Sequence, residues 1–192
     1  IIVGFGPGGH GSIAPSVVTA WRTTGGIHGP SVITSFNVFA TSSPNSLLRN
    51  PHGALNLVAG DFVGADLPMV VAAQGLGGSN QLRILRYAEG VGRERLEIVG
   101  TFQGLTGAAV RLNGSGGTSV AAGDVDNDGL DELLVGQMNG DGATTLFQVL
   151  DLAQSDDGRV YVEQRSAPIQ AMPVLFQGLG GVNLAVGNID GD

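Results

Sequence analysis

One short segment recurs along this chain, and its spacing constrains the fold more than any other feature. Leu55-Asn56-Leu57-Val58-Ala59-Gly60-Asp61 returns as Thr118-Ser119-Val120-Ala121-Ala122-Gly123-Asp124 and again as Val182-Asn183-Leu184-Ala185-Val186-Gly187-Asn188, at offsets of 63 and 64 residues. Each copy is a run of small and apolar residues that ends in Gly and then an oxygen-bearing side chain. An apolar run closing on Gln follows the first two copies, Met69 to Gln74 and Glu132 to Gln137. Ile1-Ile2-Val3-Gly4 takes the same place in the unit before them. A chain of similar units buries its apolar faces by stacking each unit on the next.

The rest of each unit also repeats. Ser16 to Thr23, Gln81 to Tyr87 and Thr144 to Leu152 read as alternating strands. Val32 to Ala40, Leu96 to Phe102 and Val160 to Arg165 form a fourth set. Gly-rich turns separate them (6–11, 75–80 and 139–143, then 25–26, 89–92 and 156–158), in a chain with 33 Gly among 192 residues against a usual share of roughly 7%. No segment carries a helical period of useful length. The sequence therefore predicts an all-β fold of the β-propeller type: repeats of about 64 residues, four antiparallel strands per blade, and roughly three blade equivalents. The units expected are 1–54, a blade lacking its first strand; 55–117; 118–181; and 182–192, the first strand of a further or closing blade. The small-residue strand belongs innermost, where blades crowd together. A β-sandwich is the competing fold, and the regular repeat disfavours it. Three blades fall short of the usual four to eight. A start at Ile1 without Met reads as a piece cut from a longer precursor, and the expectation is excision from a larger ring or assembly of several copies.

Between the first and second strands of the third unit lies Asp124-Val125-Asp126-Asn127-Asp128-Gly129-Leu130-Asp131-Glu132. A tight loop can fold Asp124, Asp126 and Asp128 inward, Gly129 allows the sharp bend, the Leu130 carbonyl can point into the ring, and Glu132 can close the far side. Such a set suits a hard cation that takes six to eight oxygens at about 2.3–2.6 Å, which favours Ca²⁺ over the water-rich octahedral shell of Mg²⁺. The flanks are β-branched and small, so the loop is a metal-clamped hairpin and not a helix–loop–helix site. Its role reads as structural: a divalent ion removes the repulsion of four carboxylates and fixes the turn.

The run from Val120 to Gly136 resembles the FG-GAP/VCBS family of calcium-binding propeller repeats, which also builds the head of integrin alpha chains. The resemblance implies a propeller and places Asp124, Asp126, Asp128, the Leu130 carbonyl and Glu132 on the family's ligand positions. The unit before it departs from that pattern. In Asp61-Phe62-Val63-Gly64-Ala65-Asp66-Leu67-Pro68-Met69 only the leading Asp remains, and Val63, Ala65 and Met69 stand on ligand positions, so this loop is expected to hold no calcium. Asn188-Ile189-Asp190-Gly191-Asp192 carries only the start of a loop. The resemblance also allows protein or carbohydrate binding on one rim of the ring.

Composition narrows the function classes. The net charge is −8 and all nine basic residues are Arg, which argues against a nucleic-acid face. There is no Cys, hence no disulfide framework or thiolate chemistry, and no continuous apolar run approaches the ~20 residues of a membrane span, since the uncharged stretches are broken by Gly, Pro, Ser, Thr and Asn. Gly4-Phe5-Gly6-Pro7-Gly8-Gly9 is a hairpin turn rather than a phosphate loop, since no helix follows it. His10, His28 and His52 stand apart in turns, and Trp21, Tyr87 and Tyr161 are too few for an aromatic platform. Arg83 and Arg86 fall on opposite faces of one strand and read, with Arg93 and Arg95, as solvated or salt-bridged. With no acid, base and nucleophile gathered anywhere, the expectation is a non-catalytic, calcium-stabilised binding or scaffold module of a secreted or cell-surface bacterial protein. The alternative is the propeller part of an extracellular polysaccharide lyase or hydrolase whose catalytic residues lie elsewhere.

Overall fold

The computed structural model describes residues 2–5, 17–22, 31–39, 55–75, 78, 80–90, 93–106, 117–138, 146–171 and 181–187. Every element among them is a strand, and every pairing is antiparallel. Sheet one contains β1 (Ile2–Phe5), β2 (Val17–Arg22) and β3 (Ser31–Asn37), in that order. Sheet two contains β4 (Leu55–Gly60), β5 (Met69–Gln74), β6 (Gln81–Gly90) and β7 (Arg93–Gln103). Sheet three contains β8 (Thr118–Gly123), β9 (Glu132–Gln137), β10 (Leu146–Gln154) and β11 (Val160–Arg165), with the two-residue β12 (Ile169–Gln170) also on β10. Chain order equals spatial order along the main path of each sheet, as hairpin connections dictate, and no barrel closes among these strands.

Local sequence explains the pairing. Leu146 to Leu152 alternates buried and half-buried side chains, the period-2 signature of a strand with one face on the core. Met69 to Gln74 is buried throughout because sheet two has a neighbour on each face. Val71, Ala73, Leu82 and Ile84 join a core with Leu133, Val135, Leu150 and Val160 of sheet three. Val70, Ala72, Leu85 and Leu96 join a second core with Val18 and Ala20 of sheet one. Equivalent strands meet between sheets, β4 on β8, β3 on β7 and β7 on β11, and the second strand of a unit also meets the first strand of the next, β1 on β4 and β5 on β8. At Gly100 of β7 the approach is so close that an added Cβ would lie 2.7 Å from the Val160 carbonyl oxygen of β11.

Two details differ from the sequence reading. The fourth strand of sheet three continues past Arg165 as β12 after a break at Ser166-Ala167-Pro168, where Pro168 has no N–H for the ladder and the Ser166 hydroxyl accepts from Val149 N–H instead (3.0 Å). Residues 182–187, expected as a strand, are assigned to no ladder. They nevertheless lie against β8 and β9: Val182 N–H donates to the Gln137 carbonyl (2.8 Å), and the Ser119 hydroxyl donates to the Val182 carbonyl (2.5 Å). The same glycine contact occurs at both ends of the stack. An added Cβ on Gly4 of β1 would meet Leu55 and Leu57 of β4, and one on Gly136 of β9 would meet Val182 and Leu184.

Candidate metal centre

The loop between β8 and β9 is a chain of turns in which carboxylates replace backbone acceptors. Asp124 accepts from Asp128 N–H (Oδ1, 3.1 Å) and Gly129 N–H (Oδ2, 3.0 Å), and Asp128 Oδ1 accepts from Leu130 N–H (2.8 Å). Asn127 and Gly129 hold φ of 62° and 95°, the left-handed region that Asn and Gly tolerate best. Glu132, the first residue of β9, is buried and accepts from Val125 N–H (2.6 Å). The result is convergence: carboxylate oxygens of Asp124, Asp126, Asp128 and Glu132 all lie within 4.8 Å of one another. Leu130, the remaining predicted ligand position, is half-buried in the same loop between Gly129 and Asp131.

The electrostatics of this arrangement suit a cation. Burial, and after it the Asp126, Asp128 and Asp124 carboxylates, push the Glu132 carboxyl above its usual range, against the opposing pull of the Val125 N–H. Asp151 of β10 is likewise raised by burial and by Asp126, Asp128 and Glu163. Among the described residues no ion pair reaches any of the four clustered carboxylates; the basic side chains pair elsewhere, as Arg22 with Glu94 and Arg159 with Asp157. Four acidic oxygen donors in one rigid turn, one of them buried, fit a divalent ion with oxygen ligands.

The corresponding loop of sheet two keeps the turn and loses the donors. Ala65 N–H donates to Asp61 Oδ1 at 3.1 Å, as Asp128 N–H does to Asp124, and Gly64 holds φ 65° where Asn127 holds 62°. In place of carboxylates stand Val63, Ala65 and Met69; Met69 is buried, and Val63 and Ala65 pack on the core beside the fully buried ring of Phe62. Apolar contact does here what an ion would do in the acidic loop.

Two participants escaped the sequence reading. Asp131 has no role in the sequence reading, yet its N–H donates to the Asp61 carbonyl (2.8 Å) and its Oδ2 accepts from Asp61 N–H (2.7 Å), tying the two loops together across the sheets. Asp151 sits one step beyond the Leu150–Leu133 pair that ends the β9–β10 register, so extending that hairpin in the sequence would have found it beside Glu132. Arg83 is corrected as well. It is half-buried rather than a solvated or salt-bridged surface charge: it lies over the Phe39 ring (5.3 Å to the centroid) and donates to the Val38 carbonyl. Arg86 and Arg95 do pair with Glu97. His10, His28, His52 and residues 188–192 lie outside the described residues. Away from the loop, β7 and the β10–β11 hairpin enclose an open groove of about 860 Å³ lined by Ile98, Thr101, Asp156, Asp157, Arg159 and Tyr161.

Comparison with known proteins locates the same segment. The chain matches no curated protein and no solved structure. Residues 116–162 match the family model of the FG-GAP repeat. This span covers β8, the acidic loop, β9, β10 and the start of β11, the same elements that build the carboxylate cluster. That match is consistent with an FG-GAP-type repeat over residues 116–162.

Proposed function

We propose that this chain is a calcium-stabilised, non-catalytic β-propeller module that serves as a binding or scaffold domain of a secreted or cell-surface bacterial protein. The observation that carries this reading is the convergence of Asp124, Asp126, Asp128 and Glu132 in a loop whose own carboxylates accept from the Val125, Asp128, Gly129 and Leu130 amides. Ca²⁺ would be held by these four carboxylates and the Leu130 carbonyl, and FG-GAP repeats often bind calcium. When bound, the ion supplies charge compensation and a rigid turn. The chain supplies the rest: Asp124 and Asp128 are pre-oriented by backbone N–H groups, and Glu132 is fixed by Val125 N–H and by its place at the start of β9.

The propeller reading is supported by antiparallel sheets stacked with equivalent strands in contact, by the recurrence at 63 and 64 residues, and by the small-residue strands β4 and β8 packed on each other. An extracellular setting agrees with where FG-GAP repeats typically occur, and no helix among the described residues is long and apolar enough to cross a membrane. The groove beside β7, with Ile98 and Tyr161 exposed next to two carboxylates, supports the binding half of the reading for a protein or carbohydrate ligand. Calcium titration by isothermal calorimetry tests the metal assignment. One ion per chain is expected, with binding abolished in Asp126→Ala. Equal binding by that variant, or no heat in the intact chain, refutes it.

A further inference from the structure

The two loops on neighbouring sheets are joined by a reciprocal pair of hydrogen bonds that runs from backbone to backbone and from backbone to carboxylate. Asp131 N–H donates to the Asp61 carbonyl at 2.8 Å, and Asp61 N–H donates back to Asp131 Oδ2 at 2.7 Å. The second bond ends on a charge and belongs to the stronger class. Gly60 is part of the fit, since an added Cβ there would lie 2.9 Å from Asp131 Oδ2 and 2.9 Å from the Phe62 ring. The Leu130 side chain completes the contact, 3.7 Å from where a Cβ on Gly64 would stand.

The position of Asp131 gives this clasp a consequence for the ion. It lies between Leu130, whose carbonyl is the backbone ligand of the proposed site, and Glu132, the buried carboxylate. Holding Asp131 holds both neighbours. On the other side, the Asp61 loop needs no metal for its own shape, because Phe62, Val63, Ala65 and Met69 lock it into the core. A rigid loop poor in ligands is therefore bolted to a loop rich in them. We propose that Asp131 is the positioning residue of the metal centre, and that the ligand-poor loop of sheet two buttresses the acidic loop through the Asp61 backbone. This rests on the metal reading above and adds a direction to it: what orients the ligands for the ion is in turn held more tightly once the ion is bound.

The test uses the whole chain and calcium alone as probe, with two readouts: calcium affinity by calorimetry, and amide exchange of Asp61 by NMR with and without calcium. In the native sequence calcium slows exchange of the Asp61 amide. Asp131→Ala lowers calcium affinity by about 10–100-fold, the usual cost of losing a group that orients a ligand, and uncouples Asp61 exchange from calcium. Asp131→Asn, which keeps an oxygen acceptor for Asp61 N–H while removing the charge, restores most of the affinity. Gly60→Ala keeps every charge and displaces the carboxylate, so it weakens binding as Asp131→Ala does; if it does not fold, the Ala and Asn variants decide. Affinity unchanged in Asp131→Ala, or Asn as damaging as Ala, overturns the positioning role. Exchange at Asp61 that ignores calcium overturns the buttress. An intact chain that takes up no calcium overturns the metal reading and this inference with it, whereas normal uptake by chain and variants alike overturns this inference alone.

Discussion

Phe62→Ala asks whether the ligand-poor loop is held by packing, as its composition and burial imply. The ring is 1% exposed and belongs to the core shared by sheets two and three. Its tip reaches 2.9 Å from where a Cβ on Gly60 would stand, and Val63 and Ala65 pack on the same core. The surrounding strands are pinned by ladders on both sides, so the space left behind cannot collapse fully. Loss of the transferred ring together with a residual cavity costs about 3–5 kcal/mol. For a chain of this size each kcal/mol moves Tm by about 2–4 °C, so the melt should fall by about 6–20 °C. Thermal unfolding followed by circular dichroism, in EDTA and in calcium, measures it. The drop should be present in both buffers, because this loop keeps only Asp61 of the ligand pattern and has no carboxylate set for calcium to bind. A drop below about 3 °C in EDTA, corresponding to less than roughly 1 kcal/mol on the same scale, refutes the claim that packing holds this loop.

Other substitutions probe separate parts of the account. Gly100→Ala places a methyl 2.7 Å from the Val160 carbonyl oxygen and must force β7 from β11, which overpacking data put at about 1–3 kcal/mol; a melt indifferent to it contradicts the close sheet contact. Glu132→Gln separates burial from ligation. Without metal, the raised Glu132 carboxyl favours folding only while protonated, so its penalty is absent below the ordinary Glu range and grows as pH rises through the interval up to the folded value. In EDTA the Gln variant should therefore melt above the native chain at neutral pH, with the gain fading on acidification. In calcium the order should reverse. A gain that is the same at acidic and neutral pH contradicts the assignment.

Much of this was legible because it is local. The alternation from Leu146 to Leu152 and the apolar run from Met69 to Gln74 announce strands whatever their neighbours, and the Asp-x-Asp-x-Asp-Gly spacing brings its own carboxylates together through its own amides. What was missed depends on partners distant in the chain. Val63, Ala65 and Met69 read in the sequence only as missing ligands, because the core they join with Phe62 is completed by Leu133 and Val135 of the next unit. Asp131 finds its partner 70 residues away, so nothing in its own loop marks it. Arg83 was read as a surface charge because its cover comes from Val38 and Phe39 on another sheet. Strand periodicity and turn chemistry are written in sequence; inter-sheet contact is written only in the way the units stack.

The central claim is that the hairpin from Asp124 to Glu132 is a metal clamp, and paired melts of three chains in calcium and in EDTA test it most directly. If calcium binds the folded form alone, a hundredfold excess over Kd adds about 2.7 kcal/mol. That is about 5–11 °C in Tm for a chain of this length. The account predicts this rise for the native chain and for Asp66→Ala, whose carboxylate lies in the ligand-poor loop, and no rise for Asp126→Ala. Asp126→Ala and Asp66→Ala responding alike, or a native melt indifferent to calcium, would contradict it.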